Sequence, residues 1–305
     1  MNIAIITIQG LNYGSFLQGF ALRNYLEKIG HNVSFINTLH PKQFISSINS
    51  LNITFEIKNK FAFLSAWKKQ KTMSRLRHYD AVVIGSDVVW AKNKKIYYGS
   101  EISADKKIAY APSCSGKTYN NLKNYAVAGI KNFDFISTRD KQTAKMVQQI
   151  TGIEPPIVTD PTFLIDWKPY EKGQTTYDDY VLVYSYAGKM KSLRKKAFAL
   201  GKHLISVGNY LDWCDLSIPD ASPFEFLTWV KNAEFILTDT FHGTVFSIIY
   251  QRPFASFPRS HKTRDLLTRL HIPEKEIFSN HQMIVNTLKK QRNTSIRFLQ
   301  DSLDD

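Results

Sequence analysis

Residues Ile236–Tyr250 read ILTDTFHGTVFSIIY, and Phe235 extends the apolar start of the stretch. Phe235-Ile236-Leu237 has strand character. Thr238-Asp239-Thr240 breaks the run with residues that favour helix N-caps. After Gly243 the chain reads TVFSIIY, apolar enough for a buried helix. The stretch predicts strand, tight turn and buried helix, with His242 and Gly243 at the helix N-terminus. That end of a helix carries unpaired N–H groups and a partial positive charge, which suit a phosphate or carboxylate. Gly243 has no Cβ, so a ligand can approach its backbone. His242 adds a donor and, when protonated, an acid. The plain alternative is a satisfied histidine at an ordinary strand–helix junction.

The same alternation runs outward in both directions. Ile3–Ile8 opens the chain as a central parallel strand would, and Gln9–Ser15 follows as a loop with two glycines. Phe16–Ile29 is apolar at helical spacing, closed by Gly30 and Asn32, and Val33–Ile36 is the next strand. This glycine-bearing turn lacks GxGxxG and the P-loop lysine. Ala81–Ile84 predicts a strand that delivers Gly85, Ser86 and Asp87. Lys107–Ala111 delivers Pro112–Gly116, Asp134–Thr138 delivers Arg139, and Ile157–Thr159 delivers Asp160. Tyr119–Ile130 and Lys141–Ile150 read as helices. Trp167–Asp179 is polar, with Pro169 and Gly173, and reads as a linker.

A second α/β series follows. It has strands at Tyr180–Tyr184, Leu204–Val207, Phe235–Leu237 and Pro253–Phe257. Its helices are Lys189–Gly201, Pro223–Lys231 and Thr263–Leu270, then a last helix, about Gln282–Leu303, interrupted at Asn293–Ser295. The predicted architecture is α/β, with two Rossmann-like parallel-sheet domains facing a cleft. The domains span 1–166, on the acceptor side, and 180–281, joined by 167–179. A C-terminal helix occupies 282–305.

Composition bounds the function. The chain has 305 residues, and its 43% hydrophobic content suffices for two cores. Its two cysteines, Cys114 and Cys214, form neither a disulfide framework nor a metal-ligand spacing, which fits a reducing compartment. MNIAIITIQG is too short and lacks the basic flank of a signal peptide, so a cytoplasmic location is expected. Forty Lys and Arg against 26 Asp and Glu give +14, a balance that favours anionic partners. Within Lys58–Tyr79, seven cations and no Glu are interleaved with Phe61, Phe63, Leu64, Trp67, Met73 and Leu76. The stretch reads as a basic amphipathic helix, packed on the protein or lying on an anionic membrane at the inner face of the cell. No nucleic-acid-binding module is readable, so no nucleic acid is expected as partner.

Small, polar or cationic residues recur after strand ends: Asn12–Ser15, Gly85–Asp87, Ser113–Gly116, Arg139, Asp160 and Asp239–Gly243. So many loops of this kind in two domains point to an anionic ligand in the cleft between them. Arg139 can grip a carboxylate or phosphate with two prongs, or form a surface salt bridge with Asp140.

Five stretches carry a resemblance: NYGSFLQGFALRNYLEKIGHNV at Asn12–Val33, YDAVVIGSDVVW at Tyr79–Trp90, ISTRD at Ile136–Asp140, VTDPTFLI at Val158–Ile165, and AEFILTDTFHGTVFSIIYQRPF at Ala233–Phe254. In this order they resemble the polysaccharide pyruvyltransferase family, over most of the chain from Met1 to about His271. The resemblance implies a GT-B-like fold. It also implies transfer of the enolpyruvyl group of phosphoenolpyruvate to a sugar diol of a polysaccharide or lipid-linked precursor. The products are a pyruvate ketal and phosphate. The family's arginine and histidine for phosphoenolpyruvate map onto Arg139 and His242. The chain departs from the pattern at Val88, where glutamine is common, and at Pro112, where a small residue is usual.

Such chemistry needs cations and N–H donors for the donor's two anionic groups, and a general acid and base for the ketal. His242 is the expected acid or phosphate stabiliser, and Asp87 or Asp160 the base. Asn12, Tyr13, Gly14, Ser15, Gly85, Ser86, Ser113, Thr240, Gly243, Thr244 and Arg264 are the expected substrate-binding positions. Neither metal nor cofactor is expected. Two alternatives differ in class: a nucleotide-sugar glycosyltransferase of the same architecture, and a non-enzymatic binder of an anionic polymer.

Overall fold

The computed structural model describes residues 1–38, 53–175, 177–186 and 190–304. Lys189, taken above as a helix start, and Asp305, the end of the expected C-terminal helix, lie outside these residues.

The first sheet has six parallel strands: β1 (Asn2–Ile6), β2 (Asn32–Ile36), β3 (Thr72–Met73), β4 (His78–Asp87), β5 (Ser103–Pro112) and β6 (Phe135–Ile136). Their spatial order is β3-β2-β1-β4-β5-β6, the doubly wound arrangement. Ile3, Ile5, Val82 and Ile84 are fully buried, as both-face burial of a parallel sheet demands. The second sheet has five parallel strands: β7 (Tyr180–Tyr184), β8 (His203–Val207), β9 (Leu216–Ile218), β10 (Phe235–Thr238) and β11 (Phe254–Ser256), ordered β11-β10-β7-β8-β9. The helices are α1 (Tyr13–Lys28), α2 (Ile53–Lys68), α3 (Asn124–Lys131), α4 (Lys141–Thr151), α5 (Lys191–Ala199), α6 (Pro223–Asn232), α7 (Phe241–Ile249), α8 (His261–Arg269) and α9 (Val285–Asp304). Two parallel-sheet α/β domains are therefore present, as the alternation predicts.

One apolar cluster runs through both domains. Its centre is Tyr13, at the start of α1. The ring stacks on Phe226 of α6 at 4.2 Å, and its hydroxyl donates to the Ala221 carbonyl at 2.9 Å. Phe20 adds edge contacts to Tyr170 and Phe224, both at 4.9 Å. An interface this apolar limits free domain motion.

Three expectations change. The basic stretch is helical only to Lys68; it then turns, adds edge strand β3 and enters β4 at His78. Asn59, Phe63 and Trp67 are buried on its inner face, so packing decides the helix. Tyr119–Ile130 divides into a 3-10 turn at Tyr119–Asn121 and α3, because Asn121 closes a capping box with Thr118. The last helix is unbroken through Asn293–Ser295. Ser295 Oγ bonds back to the Gln291 carbonyl and also accepts from Thr159 N at 2.8 Å, so the polar residue serves the fold instead of ending the helix. Helix α9 thereby returns to the first domain, where Arg292 also donates to the Phe163 and Leu164 carbonyls. Among the described residues no helix is long and apolar enough to cross a membrane.

Candidate active site

The C-terminal ends of both sheets meet at one point. Asp87 ends β4, Arg139 follows β6, and Asp160 follows the lone bridge between Thr138 and Ile157. From the second domain come His242, in the first turn of α7, and Lys262, in the first turn of α8. Asn12 caps α1 by accepting from Ser15 N at 2.9 Å, which aims Ser15 Oγ at Asp87 Oδ2, 3.1 Å away. Thr240 caps α7 by accepting from Gly243 N at 2.9 Å.

These groups form two layers. In the lower one, Arg139 is 1% exposed; its Nη1 lies 2.7 Å from Asp160 Oδ2 and its Nη2 3.4 Å from Asp87 Oδ1. In the upper one, Lys262 Nζ reaches Asp87 Oδ1 at 3.1 Å, and His242 Nε2 stands 3.5 Å from Asp160 Oδ2. Both upper contacts cross from one domain to the other. The Arg139 guanidinium and Lys262 ammonium also lie 4.7 and 5.1 Å from the Phe241 ring centroid, a doubled cation–π contact.

Burial alone would raise the Asp87 carboxyl; the Lys262, Arg139 and His242 charges overcome it and hold the group well below the usual carboxylate range. Asp160 behaves alike: burial raises it, while His242, Arg139 and the Thr162 N–H bring it below that range. Burial and the Arg139 charge push Lys262 down, against the pull of Asp87. Both carboxylates are therefore ionised at neutral pH. His242 Nε2 is buried, and at 3.5 Å its approach to Asp160 Oδ2 falls short of a well-formed hydrogen bond.

Above the cluster is a cavity of about 320 Å³. Asn12, Ser15, Asp87, Thr240 and His242, expected from the sequence, line it. Arg139 and Asp160 do not: they form the floor behind Asp87 and Phe241. Tyr13 lies in the domain interface. Gly85 takes φ +130°, and a Cβ there would strike the Tyr110 carbonyl oxygen. Ser86 Oγ donates to Gln18 at 2.6 Å, and Ser113 N donates to the Asp87 carbonyl at 2.9 Å. Gly243 faces the Thr238 hydroxyl, where a Cβ would clash; close helix–strand packing requires this glycine. Thr244 donates to the Thr240 carbonyl at 3.0 Å. Arg264 donates to the Pro258 carbonyl and faces Glu274, away from the cavity lining.

Lys262, Arg259 and Tyr186 line the cavity as well. Lys262 and Tyr186 carry no motif that marks them in the sequence. The readable signal for Lys262 was Ser260, a helix-cap residue just past β11 in the same relation as Thr240 to β10. Val88, where the family pattern favours glutamine, gives the cavity one apolar wall.

Gly14 fixes the histidine. A Cβ on it would run into the His242 ring at Nδ1. Gly14→Ala is expected to keep the fold but displace the imidazole, lowering turnover about a hundredfold, the typical effect of an ångström-scale misplacement. Steady-state kinetics beside a thermal melt check this; wild-type turnover would show that the ring position is unimportant.

A model of the polysaccharide pyruvyl transferase family matches residues 12–261. A search of curated protein sequences found no match. Among solved structures, the UDP-GlcNAc 2-epimerase of Methanocaldococcus jannaschii, in complex with UDP-GlcNAc and UDP, is similar with TM-score 0.52 and 16% identity, over 96% of this chain and 93% of that one. The UDP complex of S. aureus MnaA gives 0.53 at 12% identity, over 95% and 87%. A Listeria monocytogenes protein described as a putative UDP-N-acetylglucosamine 2-epimerase gives 0.53 at 11%, over 99% and 89%. These likenesses establish the fold as GT-B-type. The family model spans every residue that lines the cavity except Ile8 and Lys262, and the chain belongs to the polysaccharide pyruvyl transferase family.

Proposed function

We propose that the cavity binds phosphoenolpyruvate and that the chain transfers its enolpyruvyl group to a sugar diol, forming a pyruvate ketal and phosphate. The observation that carries this reading is the convergence of Lys262, Arg259 and His242 with the N-termini of α7 and α8 on one cavity. A ligand with a phosphate and a carboxylate needs that density of positive charge. Arg139, already committed to two carboxylates, supports the site from below; Lys262, paired with Asp87, and Arg259, 3.8 Å from Asp239, line the cavity with Lys92 and are the cations within reach of the donor.

The reaction balances without a further reactant. C3 of the enol gains a proton and becomes methyl, leaving an oxocarbenium-like centre at C2. Two sugar oxygens bond to C2, the C2–O bond to phosphate breaks, and two hydroxyl protons are lost. One of these replaces the proton given to C3 and the other leaves on phosphate. In this reading His242, backed by Asp160, supplies the acid. Its 3.5 Å separation from Asp160 is of the kind that tightens when a substrate binds. Asp87, which lines the cavity, in the same reading accepts a hydrogen bond from an acceptor hydroxyl and orients it, its charge being too well stabilised for it to be a strong base; Asp160 lies too deep for that contact.

The test is phosphate release from phosphoenolpyruvate on adding galactose, mannose or N-acetylmannosamine acceptors, free and lipid-linked. Lys262→Met should raise the phosphoenolpyruvate KM about ten- to hundredfold, the usual loss for a hydrogen bond to a charged group. Nucleotide release from a UDP-sugar, with indifference to phosphoenolpyruvate, would instead establish a glycosyltransferase.

A further inference from the structure

A second chamber of about 220 Å³ adjoins the first, between α2 and the loop after β8. The two share Asn12 and Tyr186. Their linings differ in chemistry. The first is rich in cations. The second holds the Glu56–Lys60 pair at 3.9 Å, with Asn59 and Asn209 and the Tyr184 and Tyr186 rings. Asn209 Nδ2 is a buried donor without a hydrogen-bond partner among the described residues. Such a group costs free energy unless something accepts from it. Asn59 donates its Nδ2 to the Pro219 carbonyl at 3.0 Å, which fixes its amide and leaves the oxygen as acceptor. Tyr186 is 52% exposed, and its hydroxyl is tied to Tyr184 at 2.8 Å, so the ring is held while a face stays open.

We infer that this second chamber is the acceptor subsite and that it takes a neutral sugar ring. The inference rests on the donor reading above. Sugar hydroxyls donate and accept at once, and the chamber offers an unpartnered donor, a fixed amide oxygen and a carboxylate. A pyranose also has an apolar face, for which a held tyrosine ring is the usual platform. The ion pair leaves the wall without net charge, so an acidic sugar gains no counter-ion there. At the junction, Asn12 Nδ2 donates to Ser15 Oγ at 3.1 Å, and Ser15 Oγ to Asp87 at 3.1 Å. A sugar seated in the second chamber presents its diol at that junction, beside the donor's C2 and within reach of this hydrogen-bonded line to Asp87.

The experiment measures acceptor KM and phosphoenolpyruvate affinity separately, by phosphate release and by calorimetry. The probes are methyl β-galactoside, N-acetylmannosamine and, as the acidic counterpart, methyl galacturonoside. Asn209→Ala and Tyr186→Ala should each raise the KM for the neutral acceptor about five- to tenfold. In Asn209→Ala, whose side chain lies outside the donor cavity, donor affinity should stay within about twofold, and Tyr186→Phe should restore most of the acceptor KM because the ring remains. Wild-type acceptor KM in both alanine variants, or preference for the galacturonoside, overturns the subsite while leaving the donor reading intact. A wild-type chain that does not bind phosphoenolpyruvate removes the donor reading, and this inference with it.

Discussion

Replacing His242 by Asn is expected to lower turnover about a hundred- to ten-thousand-fold, the range for loss of a general acid. Donor affinity should change far less. Asparagine fills much of the same space and still donates one hydrogen bond, but it carries no transferable proton. The side chain is 7% exposed, on the cavity wall, with its inner nitrogen facing a carboxylate that is ionised at neutral pH. His242→Ala should cost donor affinity as well, since it removes the hydrogen bond and opens the wall. Calorimetry with phosphoenolpyruvate beside turnover separates the two effects. Normal turnover in His242→Asn would make the histidine structural and assign the proton to another group.

Removing Arg139 has the largest expected effect on stability. Arg139→Met should destabilise the fold by about 3–5 kcal/mol, the range for breaking a buried ion pair from one side. The guanidinium holds one carboxylate with each terminal nitrogen, so its loss leaves the buried pair one cation short, with Asp87 held only by Lys262 and Ser15 and Asp160 only by Thr162 and the 3.5 Å approach of His242. Arg139→Lys keeps the charge but not the fork, and satisfies at most one of them. The pH dependence gives an internal check. Both carboxyls lie below their unfolded values, so the stability they bring is present in full above about pH 4, the unfolded value, and is lost only as pH falls through the folded one. In Arg139→Met the stranded carboxyls rise, so the variant should recover relative to wild type between pH 7 and pH 5. Urea midpoints at the two pH values measure this; a gap below about 1 kcal/mol that ignores pH would mean that relaxation and water rehydrate the carboxylates.

Much of the architecture was readable because parallel strands buried on both faces leave continuous apolar runs, as at Ile3–Ile6 and Ala81–Ile84. Strand β9 left no such trace: Leu216–Ile218 is three residues long and only half-buried. The cap residues Asn12, Asp140, Ser222 and Thr240 announce their helices locally. The reason for a glycine was less legible. Gly14 and Gly243 both stand at helix starts, yet one makes room for a histidine from the other domain and the other for Thr238, the last residue of the preceding strand. Such reasons depend on what folding brings near, which no local pattern encodes. Lys262 was missed for the same cause, since a lysine in a basic chain gains meaning only when Asp87 is found 3.1 Å away.

Helix α9 has a consequence for the order in which the molecule is made. Thr159 waits for Ser295, 136 positions later in the chain, and Lys106 for the carbonyl of Leu303. At ribosomal speeds of about 5–20 residues per second, the 136-residue interval lasts roughly seven to twenty-seven seconds. During it the first sheet has all its strands but lacks part of its cover, and Tyr13 has neither Phe226 nor Ala221 to pack against. The emerging amino-terminal half is thus held incomplete until the whole second domain has been synthesised, and the floor and roof of the cavity are assembled in the same late event.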